Sequence, residues 1–158
     1  MLITEVLGNR SELSESELNG KTEEHLVLSN LDLTKRIQRG TTDGGRDIGL
    51  RLPSGFGELS DGDILANDDD LLITVSVEPS DVLVIRPESI YEMAFVAHSL
   101  GNRHLQAQFF DADSEYGQAV MVVQYDHTVE HFLEHVKAPF TREQRVMPEA
   151  FRHAEHSH

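Results

Sequence analysis

The 158 residues carry 28 Asp and Glu against 13 Lys and Arg, a net charge of −15, and no cysteine, which excludes disulfides, iron–sulfur clusters, thiolate zinc sites and thiol nucleophiles. Excess negative charge repels phosphate backbones and anionic lipid and concentrates cations, so neither nucleic acid nor a membrane surface is expected as a partner. Apolar runs such as Leu71–Val77 fall far short of the roughly 20 residues of a membrane span, and Met1-Leu2-Ile3-Thr4-Glu5 lacks the basic start of a signal peptide; a soluble cytoplasmic protein is expected.

Alternating or short apolar stretches occur at Leu2–Leu7, His25–Leu28, Lys35–Gln38, Ile48–Leu52, Ile64–Ala66 and Leu71–Val77. Turn signals separate them: Asn19-Gly20, Thr42-Asp43-Gly44-Gly45, Pro53-Ser54-Gly55, Asp61-Gly62-Asp63 and Asn67-Asp68-Asp69-Asp70. This spacing predicts an antiparallel β-sandwich or open barrel over residues 1–77, with only a weak helical pattern at Ser11–Leu18. Glu78-Pro79-Ser80-Asp81 reads as a linker. Beyond it, over 82–147, the pattern predicts a strand at Val82–Ile85 and a helix from Pro87 to Leu100 with Gly101 as its left-handed C′ residue. Strands at His104–Phe110 and Ala119–Tyr125 follow. Asp126 then caps a helix to about Lys137 that buries Val129, Phe132, Leu133 and Val136, and a last strand lies near Gln144–Met147. The fold class is therefore α+β: a β domain, a ferredoxin-like βαββαβ domain, and a flexible His-bearing tail over 148–158.

The chain has no Walker A loop, G-x-G-x-x-G, G-x-S-x-G or H-E-x-x-H string. Its chemistry lies in histidine. His25 stands alone; His98, His104, His127, His131, His135, His153, His156 and His158 all lie in the second half. His131-Phe132-Leu133-Glu134-His135 has the H-x-x-E-H order of a zinc peptidase, which would need a third ligand and a deep cleft. His127, His131 and His135 recur at helical spacing, so neighbours could chelate one ion, or the stripe could be a solvated face. The tail histidines His153, His156 and His158 can wrap a metal without preset geometry. His104 follows Leu100-Gly101-Asn102-Arg103. One imidazole holds a transition metal weakly, but two copies meeting across a two-fold axis supply half a coordination sphere. Neutral imidazole suits nickel, zinc and copper(II).

The segment Tyr91-Glu92-Met93-Ala94-Phe95-Val96-Ala97-His98-Ser99-Leu100-Gly101-Asn102-Arg103-His104 resembles the signature of the urease accessory protein E family, the nickel metallochaperones of urease maturation. The resemblance extends over most of the chain, including the Asp61-Gly62-Asp63 turn in the β-rich, peptide-binding-like first domain. It implies a non-enzymatic homodimer carrying Ni(II) as cargo at paired His104 residues, with His153, His156 and His158 completing the site and Zn(II) or Cu(II) accepted in vitro. His127 and Asp126 match an auxiliary ligand string in which Tyr125 stands where an imidazole would be. The implied partners are the urease accessory GTPase and the urease apoprotein complex. An alternative class is a peptide-binding interaction module whose histidines are incidental.

Overall fold

The computed structural model describes residues 1–151, and these divide into two units. The first comprises Met1–Pro79 together with Val146–Ala150; the second is built on Ser80–Arg145.

In the first unit, β1 (Leu2–Ile3) is followed by a one-turn helix α1 (Glu15–Leu18), β2 (Thr22–Leu28), β3 (Ile37–Thr41), β4 (Asp47–Arg51), β5 (Ile64–Asn67) and β6 (Leu71–Val77). Two three-stranded sheets result, ordered β1-β4-β3 and β2-β6-β5. The expectation of an antiparallel β domain is corrected here. β3–β4 and β5–β6 are antiparallel hairpin-like pairs, but β1 runs parallel to β4, and β2 runs parallel to β6 from Thr22↔Leu71 to Leu28↔Val77. The first strand is also shorter than expected, ending at Ile3 rather than Leu7.

Alternation along β2 points Glu24, Leu26 and Leu28 inward. Leu26 and Leu28 join Ile48 and Leu50 of β4 and Ile73, Val75 and Val77 of β6 in one core cluster. Glu24 is the buried carboxylate on that face; it accepts from the Thr42 hydroxyl at 2.6 Å and from Arg46 Nη2 at 3.2 Å. The Thr42 hydroxyl first, and the Arg46 guanidinium second, hold its carboxyl below the ordinary range. Ala150 belongs to the same core, and Asn30 Nδ2 donates to the Glu149 carbonyl at 3.0 Å. Ala150 is thus a core residue and the Glu149 backbone is held, where a flexible tail was expected from 148.

The second unit has the expected β-α-β-β-α-β order: β7 (Ser80–Ile85), α2 (Ile90–Gly101), β8 (Ala107–Phe110), β9 (Val120–Gln124), α3 (His127–His135) and β10 (Phe140–Arg145). Its sheet is ordered β10-β7-β9-β8 with every neighbouring pair antiparallel. β7 already includes Ser80 and Asp81, so the predicted linker shrinks to Glu78-Pro79. The last strand lies over Phe140–Arg145 instead of Gln144–Met147. α2 starts at Ile90 because Ser89 Oγ accepts from the Glu92 amide at 3.1 Å, an N-cap. Leu83, Ile85, Met121 and Val123 of the sheet pack with Val96 and Leu100 of α2 and Val129 and Leu133 of α3. That cluster fixes the inner faces of both helices and so the direction of their outer ones.

Candidate metal centre

His104 ends a turn that continues directly from α2. The Asn102, Arg103 and His104 amides donate to the carbonyls of His98, Leu100 and Gly101, each at 3.0 Å. The chain then leaves through His104 with φ of 57°, the left-handed region, which costs a residue with a Cβ roughly 1–2 kcal/mol. Two expectations are corrected together. Gly101 is the last helical residue and not the left-handed one, and His104 belongs to the turn, since β8 begins at Ala107. The turn holds the His104 side chain exposed on the surface.

The α3 histidines behave differently. The Asp126 carboxylate caps the helix by accepting from the Thr128 and Val129 amides at 2.8 and 3.3 Å. Bonds from the Thr128 hydroxyl, then from the Thr128 amide, hold its carboxyl below the ordinary range. With Val129 and Leu133 buried, His127, His131 and His135 stand exposed on the other side. Together with Arg103, Thr128 and Phe132 they line an open depression of about 610 Å³. Sequence reasoning missed the Arg103–Phe132 pair that forms one wall, with Arg103 Cζ 4.9 Å from the ring centroid, because no spacing rule links two residues on different elements.

The remaining histidines are dispersed. His98 is exposed on α2 with Nε2 3.4 Å from Asn102 Nδ2. His25 lies in the first unit, Nδ1 3.0 Å from the Asp43 carboxylate. His153, His156 and His158 lie outside the described residues. Among the described residues, no three His, Asp or Glu side chains are grouped to hold one ion. Tyr125 is engaged elsewhere: its hydroxyl faces Glu130 at 3.4 Å, and Arg142 Cζ lies 3.6 Å from its ring centroid. His131, Glu134 and His135 sit on an exposed helix face over an open depression, without the deep cleft a zinc peptidase needs.

In the first unit, the Asp61-Gly62-Asp63 turn is built as a structural lock. Asn9 Nδ2 donates to the Asp61 carbonyl and to Asp63 Oδ1, while the Asp61 carboxylate accepts from the Val77 amide and the Asp63 carboxylate from the Ser60 amide, both at 2.8 Å. A groove of about 670 Å³, lined by Met1, Leu2, Ile37, Arg39, Gly49 and Arg51 among others, crosses the exposed face of the β1-β4-β3 sheet. Among the described residues, no helix is long and apolar enough to cross a membrane.

Comparison with known proteins covers both units. Residues 3–78 match the family model described as UreE urease accessory protein, N-terminal domain, and residues 80–158 match that of the C-terminal domain. The chain is 68% identical to the urease accessory protein UreE of Corynebacterium urealyticum over 158 residues and 61% identical to that of Pseudarthrobacter chlorophenolicus over 161, covering all of each chain. It is 47% identical to that of Actinomyces naeslundii, again over the full length of both. Matched from end to end at this level, the chain belongs to the UreE urease accessory protein family.

Proposed function

We propose that this chain is a cytoplasmic nickel metallochaperone that carries Ni(II) between two copies of itself and delivers it to the urease apoprotein, working with the urease accessory GTPase. His104 of each copy supplies one imidazole, His153, His156 and His158 complete the coordination sphere, and His127 is an auxiliary ligand. The donor set is all imidazole, which suits nickel and also accepts zinc or copper(II) in vitro. The observation that carries the reading is the His104 turn: a lone, exposed imidazole on a strained, hydrogen-bonded corner at the end of a helix. A ligand presented in this way, and not grouped with two further His, Asp or Glu side chains among the described residues, is suited to meeting a partner's ligand and to releasing its metal afterwards.

Dimerisation through α2 is supported by its exposed apolar residues. Tyr91 and Phe95, one helical turn apart, are 81% and 46% exposed, on the helix that ends in the His104 turn. The strand order β10-β7-β9-β8 supports a ferredoxin-like reading of the second unit, and the shared core of the two three-stranded sheets supports a sandwich-like first unit. The groove over Gly49 favours a second reading, a peptide-binding module, which requires self-association to be indifferent to metal.

The deciding measurement is nickel titration calorimetry with sedimentation on the full chain, on His104→Ala, and on a chain ending at Phe151, which keeps Ala150 in its core. The His104→Ala chain should lose at least about tenfold in its tightest binding event while remaining dimeric. The shortened chain should bind more weakly and release fewer protons per ion. A tight event unchanged by His104→Ala would overturn the assignment.

A further inference from the structure

We propose that His131 and His135 form a second transition-metal site, a two-imidazole chelate on the outer face of α3 that is separate from the His104 turn. Four residues apart on one helix, the two rings lie over the same turn, with about 5–6 Å between their Cβ atoms, a span one first-row ion can bridge. The scaffold is rigid: Val129 is 1% and Leu133 0% exposed, and Asp126 pins the first turn. Both rings open into the 610 Å³ depression, and among the described residues no hydrogen bond engages their ring nitrogens. Two protein ligands leave the other coordination positions to water, so the site is weak and exchangeable.

The helix also chooses between the two available neighbouring pairs. His127 is the first helical residue, at the positive end of the helix dipole; His135 is the last, where the exposed carbonyls favour a cation. Arg103, which also lines the depression, is the opposing charge, and its guanidinium is held over the Phe132 ring. The chelate therefore uses His131 and His135, and His127 is dispensable to it.

The test uses the full chain with His104→Ala, His153→Ala, His156→Ala and His158→Ala combined, titrated with Ni(II) alone. A residual event of about one ion per chain should remain, and Ni(II) should broaden the ring resonances of His131 and His135 before that of His127. Adding His131→Ala or His135→Ala should weaken this event by about tenfold or more, whereas adding His127→Ala should leave it within about twofold. All three residues are exposed, so thermal melts of the metal-free variants should coincide. No residual event, one that survives both the His131 and His135 substitutions, or one removed by His127→Ala would overturn the proposal. The outcome is independent of the His104 assignment, which stands or falls on the tight event in the otherwise unaltered chain.

Discussion

The Arg103 guanidinium lies over the ring of Phe132, Cζ to centroid 4.9 Å, and so ties the turn that presents His104 to the middle of α3. Phe132 in turn stacks on Phe95 of α2, with centroids 6.5 Å apart and an interplanar angle of 28°. Arg103 is exposed and Phe132 half-buried, and a cation over a ring at such a solvent-accessible site contributes about 0.5–1 kcal/mol. Arg103→Ala should therefore lower stability by about that amount and weaken tight nickel binding by about threefold to tenfold, through a loosened turn. Parallel melts and calorimetry on the variant check this. A stability loss with unchanged nickel affinity would show that the stack does not position His104.

Lys137 offers a change in the opposite direction. It has φ of 58°, and its amide donates to the Glu134 carbonyl at 3.2 Å while the Ala138 amide donates to Leu133 at 3.0 Å. This is the Schellman pattern, with lysine where glycine is usual. Lys137→Gly should stabilise the protein by about 0.5–1 kcal/mol, a rise of a few degrees in Tm. A lower Tm would mean that the lysine side chain contributes more than its backbone strain costs.

The elements that could be read from the sequence are those set by local chemistry. β6 falls on Leu71–Val77 as expected, because a run of β-branched and apolar residues bounded by turns needs no distant information. Asp126 and the Val129/Leu133 face of α3 were legible for the same reason. The parallel pairing of β2 with β6 was not, since Thr22 meets Leu71 across the intervening β3, β4 and β5 and nothing local encodes it. The last strand was expected near Gln144–Met147, about four residues late, because Phe-Thr-Arg-Glu-Gln-Arg is an edge strand with polar residues on both faces and so lacks hydrophobic alternation. For the candidate site, the G-N-R-H string placed His104 at the helix end but not in the left-handed turn, because glycine at 101 was the more obvious candidate for positive φ.

Gly62 is a position where glycine is required. Its φ is +83°, and a Cβ there would come within 3.0 Å of Asn9 Oδ1. Gly62→Ala should cost about 1–3 kcal/mol, combining backbone strain with displacement of the Asn9 side chain from Asp61 and Asp63. Urea unfolding should show a lower midpoint. Combining it with Asn9→Ala should give less than the sum of the two single losses, because both remove the same contacts.

Acid should destabilise the second unit through identifiable carboxylates. Asp81 accepts from Arg142 Nε and Nη2 at 3.0 and 2.7 Å, and these bonds hold its carboxyl below the ordinary range. Glu143 is held low by the Thr141 hydroxyl first, then by Arg145 and Arg86. A folded pKa below the unfolded one means that the unfolded chain takes up protons first as pH falls. The contribution is complete above the ordinary carboxylate value of about 4 and is lost as pH drops below it. Melts between about pH 6 and pH 3 should show Tm falling over that lower window, and Asp81→Asn should make the fall shallower. An unaltered slope in that variant would exclude the Asp81–Arg142 pair as a source.

Ala150 and the Glu149 carbonyl close the core around Asn30, which lies 119 residues before Glu149. On a ribosome the first unit is therefore interrupted: residues 1–79 emerge, the whole of β7 to β10 follows, and only then does the closing segment appear. At about 5–20 residues per second, the roughly 70 residues between Pro79 and Ala150 leave the first unit without its last core residue for about 4–14 seconds, whereas β10 is complete only about a second or less before Ala150 is added. Released chains ending at Arg145 and at Phe151 should differ in protease resistance over residues 1–79, the longer one being the better protected; equal resistance would show that the closing segment adds nothing to the first core.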